Sequence, residues 1–115
     1  MYRVIKEKPV RKLIEDLETK AIKGTKNAIC SLTSIKAKIK SLEKLGPELK
    51  MPHSKHLLDK IYELRPKRYR IFYFFHTGKI IILLDWHYKS TQETPERVKK
   101  SVKKKYKIWK INQEN

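Results

Sequence analysis

Three charged side chains, Glu63, Arg65 and Arg70, lie within a stretch that otherwise favours β-structure. Residues 61–75 are rich in aromatic and β-branched residues, which predicts two strands, and Pro66 belongs in the short basic turn between them. Side chains alternate across a strand, so a tight turn brings both arginines close to the carboxylate on a largely apolar sheet. A buried charge in such a place needs a partner or a ligand.

The chemistry open to this cluster is recognition of phosphate together with proton transfer. Guanidinium groups bind phosphate oxygens in pairs, and a carboxylate beside them can act as a base. Two simpler interpretations stay open at this point. The stretch could be an edge hairpin whose arginines lie in water, or Glu63 could only form a salt bridge with Arg70.

The composition indicates a partner of opposite charge. The 115 residues predict one domain over residues 1–115 with a modest hydrophobic core. Its 29 lysines and arginines against 12 acidic residues give a formal charge of +17, far more than solubility requires. Such a charge attracts polyanions, of which nucleic acid is the commonest, and an acidic membrane is a weaker alternative.

Neither a membrane span nor a secretion signal is expected. The longest apolar run, Ile80–Leu84, is too short to cross a bilayer, and the first residues lack the apolar stretch of a signal peptide. Cys30 is the single cysteine, so no internal disulfide can form. These features predict a cytoplasmic, reducing location.

The elements around the cluster follow from periodicity and from turn residues. Apolar residues at spacings of three and four predict two helices that pack against each other and against a sheet. Gly46 is expected to cap the second helix, and the apolar run from Ile80 indicates a central strand buried on both faces. The predicted order is β-α-α-β-β-β-α, an α+β layer fold. Its bounds are a strand at 2–6, helices at 9–18 and 25–45, a loop at 48–58, two strands within 61–75, a strand at 80–86 and a helix from Thr94–Pro95.

The last predicted helix is strongly basic. Thr94 can cap it, and Pro95 suits its first position. Between residues 97 and 110 it has eight basic residues and no acidic one, so it needs an apolar docking surface and an anion for its lysines. The docking stripe is expected to consist of Val98, Val102, Tyr106 and Trp109.

A metal site is not expected. His53 and His56 are three residues apart, but the sequence offers no second ligand pair of convincing spacing. No cofactor is predicted either.

Several short motifs together resemble the phage-derived HigB-like branch of the RelE/ParE toxin superfamily. The resemblance covers nearly the whole chain and implies a RelE-like fold, in which a twisted antiparallel sheet is packed by a two-helix hairpin and is followed here by a basic C-terminal helix. It also implies a toxin that cuts messenger RNA, often on the ribosome, and a helix-turn-helix, HigA-like antitoxin that neutralises it in an oligomeric complex. The motifs are Leu45-Gly46-Pro47-Glu48-Leu49, Pro52-His53-Ser54-Lys55, Tyr62-Glu63-Leu64-Arg65, Tyr69-Arg70-Ile71-Phe72-Tyr73-Phe74 and Lys89-Ser90-Thr91-Gln92-Glu93-Thr94-Pro95.

The chain departs from the family pattern near its last strand. The family commonly has two lysines before the Thr-Gln segment, and here Ser90 replaces the second. A histidine and, two residues later, a phenylalanine commonly precede them, and Asp85 and His87 occupy those places here. These differences bear on the catalytic acid and on activity, and hardly on the fold.

Metal-free RNA cleavage requires a base for the attacking 2′-hydroxyl, an acid for the leaving oxygen and cations for the phosphate. Glu63 is the candidate base, as in relatives that use a strand glutamate, and Arg65 and Arg70 are the candidate cations. His87 or Tyr88 is the candidate acid, and His87 suits this role better because an imidazole exchanges protons more readily than a phenol near neutral pH. Salt bridging by Glu63 and a simple exposed position for His87 stay open. The residues expected to bind RNA or phosphate are Lys55, Lys67, Arg68, Tyr88, Lys89, Lys99 and Lys103.

Three functions therefore remain after the sequence alone. The first is a ribonuclease toxin, which the cluster of one glutamate and two arginines favours. The second is a non-enzymatic poison of DNA gyrase, because the ParE side of the superfamily shares the fold. The third is a basic RNA- or ribosome-binding module without catalysis, which Ser90 favours slightly.

Overall fold

A computed structural model of the protein describes residues 1–89 and 93–114. Ser90, which replaces the second lysine of the pattern that the sequence resembles, lies outside the described residues. Three α-helices and five strands form an α+β fold. In chain order they are β1 (Arg3–Lys6), α1 (Lys8–Ile22), α2 (Lys26–Leu45), β2 (Ser54–Leu58), β3 (Ile61–Leu64), β4 (Tyr69–His76), β5 (Ile80–Tyr88) and α3 (Glu96–Glu114), with a short 3₁₀ turn at Gly46–Glu48.

The five strands form one sheet in the order β1-β5-β4-β3-β2. The pairs β2–β3, β3–β4 and β4–β5 are antiparallel, as hairpin connections require. The expectation of a purely antiparallel sheet is wrong, because β1 pairs with β5 in parallel, with Arg3 opposite Ile80. A parallel pair needs a long crossover, and the helical hairpin together with the rest of the sheet provides it.

Both faces of the sheet are covered. The helices α1 and α2 pack on one face, where Val10, Ile35 and Leu42 meet the buried strand residues Ile71 and Leu83. On the opposite face, Val102 of α3 is buried against Ile61, Phe72, Phe74, Ile82 and Leu84, and Val98, Tyr106 and Trp109 pack beside it. The predicted docking stripe of the last helix is therefore confirmed.

The central position of β5 is also confirmed. It lies between β1 and β4, and Ile81, Ile82, Leu83 and Leu84 are all buried. Two packed helical layers leave no polar face at this strand, which explains its continuous apolar sequence.

The second helix ends at Gly46, as predicted. Gly46 has φ +53°, and its N–H bonds to the carbonyl of Leu42. A Cβ at this position would overlap the ring of Tyr2. Glycine is therefore required both by the backbone and by the close approach of the N-terminal segment.

The prediction of a loop at residues 48–58 is wrong for residues 54–58. Residues Ser54–Leu58 form β2, an edge strand paired with β3. Its burial pattern gives only one fully buried residue, Ser54, which is polar. An edge strand of this kind lacks the alternation of apolar residues that marks a half-buried strand.

The first helix is longer than predicted and ends at Ile22 rather than at residue 18. Its last turn contains exposed polar residues that continue the helix without extending the apolar stripe. In the described part of the chain, no helix combines the length and the apolar character needed to cross a membrane.

Candidate functional site

Glu63 and Arg70 form an ion pair inside the protein. Glu63 lies opposite Phe72 in the β3–β4 register, so Arg70, two residues before Phe72, is its diagonal neighbour on the same face. The Nε atom of Arg70 is 3.4 Å from Oε2 of Glu63, and each residue is only 5% exposed. The interpretation as a hairpin with solvated arginines is wrong for Arg70, and the salt bridge is present.

Further hydrogen bonds fix both members of this pair. The Nη1 group of Arg70 donates to the carbonyls of Lys67 and Tyr69, at 2.9 Å each. The hydroxyl of Thr94 donates to the Glu63 carboxylate at 3.3 and 3.4 Å. Thr94 is thus engaged with the sheet instead of serving as the predicted helix cap.

The electrostatic environment of Arg70 is mixed. Burial and, next, the positive charge of Arg65 lower the pKa of the Arg70 guanidinium, whereas Glu63 partly offsets this effect. Arginine stays protonated in proteins, so Arg70 remains a cation at neutral pH. Burial therefore has a larger effect on Arg70 than either neighbouring charge.

Arg65 lies just beyond the end of β3 and borders the same site. Its backbone N–H donates to the carbonyl of His53 at 2.9 Å, and Nη1 contacts the sulfur of Met51 at 3.2 Å. Its Nε atom is enclosed and has no hydrogen-bond partner among the described residues. Such an atom is an available donor for an anion placed nearby.

His87 lies directly opposite Arg70 in the β4–β5 register. Its Nε2 atom is enclosed and lacks a hydrogen-bond partner within residues 1–89 and 93–114. The side chain is half-buried, which excludes the simple exposed loop histidine. Asp85, the other departure from the family pattern, forms an ion pair with Lys105 of α3.

A narrow cleft connects Glu63 with solvent. Lys55 of β2, Arg65 and Lys99 of α3 line it, together with Glu63, Leu57, Glu93 and Thr94. Its volume is about 30 Å³. Water fits in such a space, whereas a phosphate group is too large. Substrate binding at this cluster therefore requires the cleft to widen.

Three of the predicted RNA-binding residues lie elsewhere. Lys67, Arg68 and Tyr88 line a separate groove of about 480 Å³ on the side of α1 and α2. We call it the hairpin groove, because α1 and α2 contribute Leu17, Lys20, Asn27, Ala28, Cys30 and Ser31, the loop between them contributes Thr25, and Tyr69 completes the lining. The sequence prediction grouped Tyr88 with His87, although neighbouring strand residues point to opposite faces.

The remaining predicted residues lie near these two places. The N–H of Lys89 donates to the carbonyl of Arg68 at 2.6 Å, so the end of β5 is tied to the β3–β4 turn. Lys103 forms an exposed ion pair of 3.6 Å with Asp59 and lies one helical turn beyond Lys99. The structure thus separates a cluster beneath α3 from a groove beside α1 and α2.

The prediction from sequence missed Thr94 as a partner of Glu63 and missed Lys20 as part of a cationic groove. The predicted strand ended at residue 86, whereas β5 continues to Tyr88, and alternation along this longer strand is what separates His87 from Tyr88. No comparable signal existed for Thr94 or Lys20, because each meets its site only through the packing of separate elements.

The cluster can supply cations and a carboxylate in a place shielded from water. Charge-assisted hydrogen bonds are strong there, because the surroundings screen them weakly. Among the residues that the structure describes, no group of three or more His, Cys, Asp or Glu side chains could hold a metal ion.

Comparison with known families gives one match. The sequence model of the family described as "Phage derived protein Gp49-like (DUF891)" matches residues 31–107. The match includes β2 to β5, most of α2 and the first half of α3, and so it contains Glu63, Arg65, Arg70 and His87. No curated protein matches the chain.

Proposed function

The chain belongs to the Gp49-like family of phage-derived proteins, a toxin-like family of the RelE/HigB type, and we propose that it is the toxin of a type II toxin–antitoxin system. Its target is messenger RNA, which it cuts as a metal-independent endoribonuclease, on the ribosome. The family match covers the strands that contain the charged cluster, so family and cluster support the same proposal.

One observation carries the proposed activity. Glu63 and Arg70 are paired at 3.4 Å in a buried position, and Arg65 adds a second guanidinium whose enclosed Nε has no hydrogen-bond partner among residues 1–89 and 93–114. Burying charged groups is costly, so a protein that only needed a stable sheet would gain little from them. A base beside two phosphate-binding cations is the arrangement that RNA cleavage requires.

The cleavage step uses these groups in turn. The scissile phosphate takes the place of Glu63 as partner of the Arg70 guanidinium, and Arg65 binds a second phosphate oxygen. The released carboxylate of Glu63 accepts the proton of the 2′-hydroxyl, which attacks the adjacent phosphorus. His87 donates a proton to the departing 5′-oxygen, giving a 2′,3′-cyclic phosphate and a free 5′-hydroxyl. No metal takes part.

Cations outside the cluster bring RNA to it. Lys55 and Lys99 line the cleft, and Lys99 and Lys103 also line a neighbouring groove along α3. The net charge of +17 supports long-range attraction to RNA and to the ribosome, both of which are polyanions.

The proposed partner is a helix-turn-helix antitoxin of the HigA type, bound in an oligomeric complex in the cytoplasm. An antitoxin segment rich in acidic residues would complement the basic surface of α3, which has Lys100, Lys104 and Lys107 exposed.

A second candidate function is RNA or ribosome binding without catalysis. The closed cleft of about 30 Å³ favours it, because Glu63 and Arg70 engage each other and leave no room for a phosphate. In that case the buried pair only holds the sheet and α3 together.

Induction of the protein in cells tests these functions. Primer extension on cellular mRNA should reveal new 5′ ends after induction of the parental chain, and Arg70→Lys should reduce them. Cells that stop growing with intact mRNA would contradict the nuclease. A parallel assay of plasmid supercoiling detects a gyrase poison, since such a poison changes DNA topology and leaves the RNA whole. The matched control is Lys36→Gln, at an exposed residue of α2 that lines neither the cleft nor the hairpin groove.

A further inference from the structure

The hairpin groove has the chemistry of a nucleotide site. Lys20, Lys67 and Arg68 line it, and within the described residues no acidic side chain does. Its volume of about 480 Å³ lies in the range of small-molecule sites. Three cations without a carboxylate attract an anion and provide no internal counter-charge.

An exposed aromatic side chain borders the same groove. Tyr88 is 51% exposed, and its ring meets Tyr69 edge to face, with 5.1 Å between the centroids. Tyr69 in turn packs against Trp86 at 5.9 Å. These contacts support Tyr88 while about half of its surface stays accessible to solvent, and an accessible aromatic ring can stack a base.

The groove and the Glu63–Arg70 cluster share one piece of backbone. The carbonyl of Lys67 accepts a hydrogen bond from Arg70, and the carbonyl of Arg68 accepts one from Lys89. The β3–β4 turn thus presents Lys67 and Arg68 to one side of the sheet while its backbone positions Arg70 on the other. A strand of RNA that crosses this turn would reach both places.

We infer that the hairpin groove binds a nucleotide of the single-stranded mRNA substrate next to the cleavage site, with its phosphate on Lys20, Lys67 and Arg68 and its base on Tyr88. This inference rests on the proposed function, since it assigns the RNA strand to a second site of the same enzyme. Single-stranded RNA is the matching ligand because bases in a duplex are stacked on each other and cannot reach a tyrosine.

Cys30 offers a local readout. It is the single cysteine of the chain, is exposed and lines the groove. The experiment measures its rate of alkylation by N-ethylmaleimide with and without a ten-nucleotide 2′-O-methyl RNA, which cannot be cut by 2′-hydroxyl attack. Fluorescence anisotropy measures binding of the same RNA. Binding should slow alkylation severalfold.

Two variants test the lining residues. Tyr88→Ala should weaken RNA binding about 5- to 100-fold, as expected for the loss of one stacked base, and should lose nothing further on an abasic oligonucleotide. Lys67→Gln with Arg68→Gln should weaken both kinds of RNA. The matched control is Lys36→Gln with Lys40→Gln, which removes the same charge from a different groove between α1 and α2.

Each outcome either supports or overturns the inference that the hairpin groove binds single-stranded RNA. RNA that binds while Cys30 reacts at its free rate lies elsewhere and overturns the inference, as does equal weakening by the control pair. A duplex that protects Cys30 better than the single strand overturns it too. Protection of Cys30 by RNA in a protein that cuts no mRNA would uphold the groove and refute the proposed nuclease. Cleavage of mRNA without protection of Cys30 would support the proposed nuclease and refute RNA binding in the hairpin groove.

Discussion

The Nε atom of Arg70 lies 3.4 Å from the Oε2 atom of Glu63, beneath α3 and almost out of reach of water. The pair joins two strands and, through Thr94, the segment that leads into the last helix. It therefore has both a structural and a proposed catalytic role, and variants must separate the two.

Arg70→Ala should abolish most cleavage, because the phosphate loses a two-pronged cation as charge develops. Loss of one such donor costs about 10²–10³ in rate. The change also leaves Glu63 buried without its partner, which costs about 3–5 kcal/mol of unfolding free energy.

Arg70→Lys should restore folding better than activity, because an ammonium lacks the planar pair of donors. Denaturant titration and an mRNA cleavage assay on both variants check this. Arg11→Ala, on the exposed face of α1, is the control. Cleavage at the parental rate by a folded Arg70→Ala protein would refute the assignment.

Glu63→Gln should slow cleavage and leave RNA binding unchanged or slightly tighter. The amide cannot act as a base, and the loss of a negative charge favours an approaching phosphate. Binding of uncleavable RNA and single-turnover cleavage should be measured on the same preparation. If binding and cleavage fall together, Glu63 only holds Arg70 in position.

The lysines of α3 should matter for RNA and little for folding. Lys99 and Lys103 form ion pairs of 3.5 and 3.6 Å with Glu96 and Asp59, and such exposed pairs contribute at most about 1 kcal/mol each. Replacing Lys99, Lys100, Lys103 and Lys104 with Gln should therefore weaken RNA binding at an almost unchanged melting temperature.

Salt titration gives the quantitative check on these lysines. For the parental protein, log affinity should fall with log salt by roughly 0.7 for each phosphate neutralised on a single strand, and the variant should show a shallower slope. The control removes four lysines of α2, namely Lys26, Lys36, Lys40 and Lys44. Unfolding of the α3 variant, or a flat salt dependence of the parental protein, would contradict the prediction.

Docking of α3 depends on its buried side. Val102 is 1% exposed, whereas Ile108 on the same helix is 49% exposed. Val102→Ala should lower the unfolding free energy by about 2 kcal/mol, through lost burial and a small cavity. Ile108→Ala should change it by less than about 0.5 kcal/mol. Equal effects in denaturant titration would show that α3 is not docked as described.

Alkaline pH should destabilise the protein through Tyr73. Burial raises the pKa of the Tyr73 hydroxyl above its ordinary value of 10.0, the hydrogen bond with Ser54 lowers it, and Tyr62 raises it further. A group whose pKa is raised by folding contributes its full stability below pH 10 and loses it as pH rises through the folded-state pKa.

Comparison with Tyr73→Phe isolates this effect from the titration of the lysines. At pH 8 the variant should be less stable by about 1 kcal/mol, because the bond with Ser54 is lost. As pH rises above 10, the gap in unfolding free energy between the two proteins should close. A constant gap from pH 8 to 11 would contradict the assignment.

Local sequence patterns predicted the helices and the central hairpin, because apolar residues recur at helical spacing in the helices and because strand-forming residues flank a short turn in the hairpin. The second helix was placed within one residue, and the stripe of Val98 and Val102 located the buried side of α3. The strand β2 was missed because its exposed residues carry no alternation. The parallel pairing of β1 with β5 was missed because register between distant segments is absent from any local window.

In the candidate site, too, local patterns predicted the contacts between neighbouring strands but not those between distant segments. Alternation and a short turn sufficed to bring Glu63 to Arg70, since both lie on adjacent strands. They could not show that Lys99 of α3 lines the cleft at Glu63, nor that Lys67 and Arg68 face the helical hairpin. Those relationships arise from packing between layers, which sequence spacing does not encode.

The pairing of Arg3 with Ile80 also sets the timing of folding during synthesis. The first strand leaves the ribosome long before β5, so β1 stays without its partner strand until β5 has been synthesised. The cleft is completed later still, because Lys99 belongs to the last helix. For the proposed nuclease, this order means that the cleft cannot act on RNA before both β5 and α3 have been synthesised.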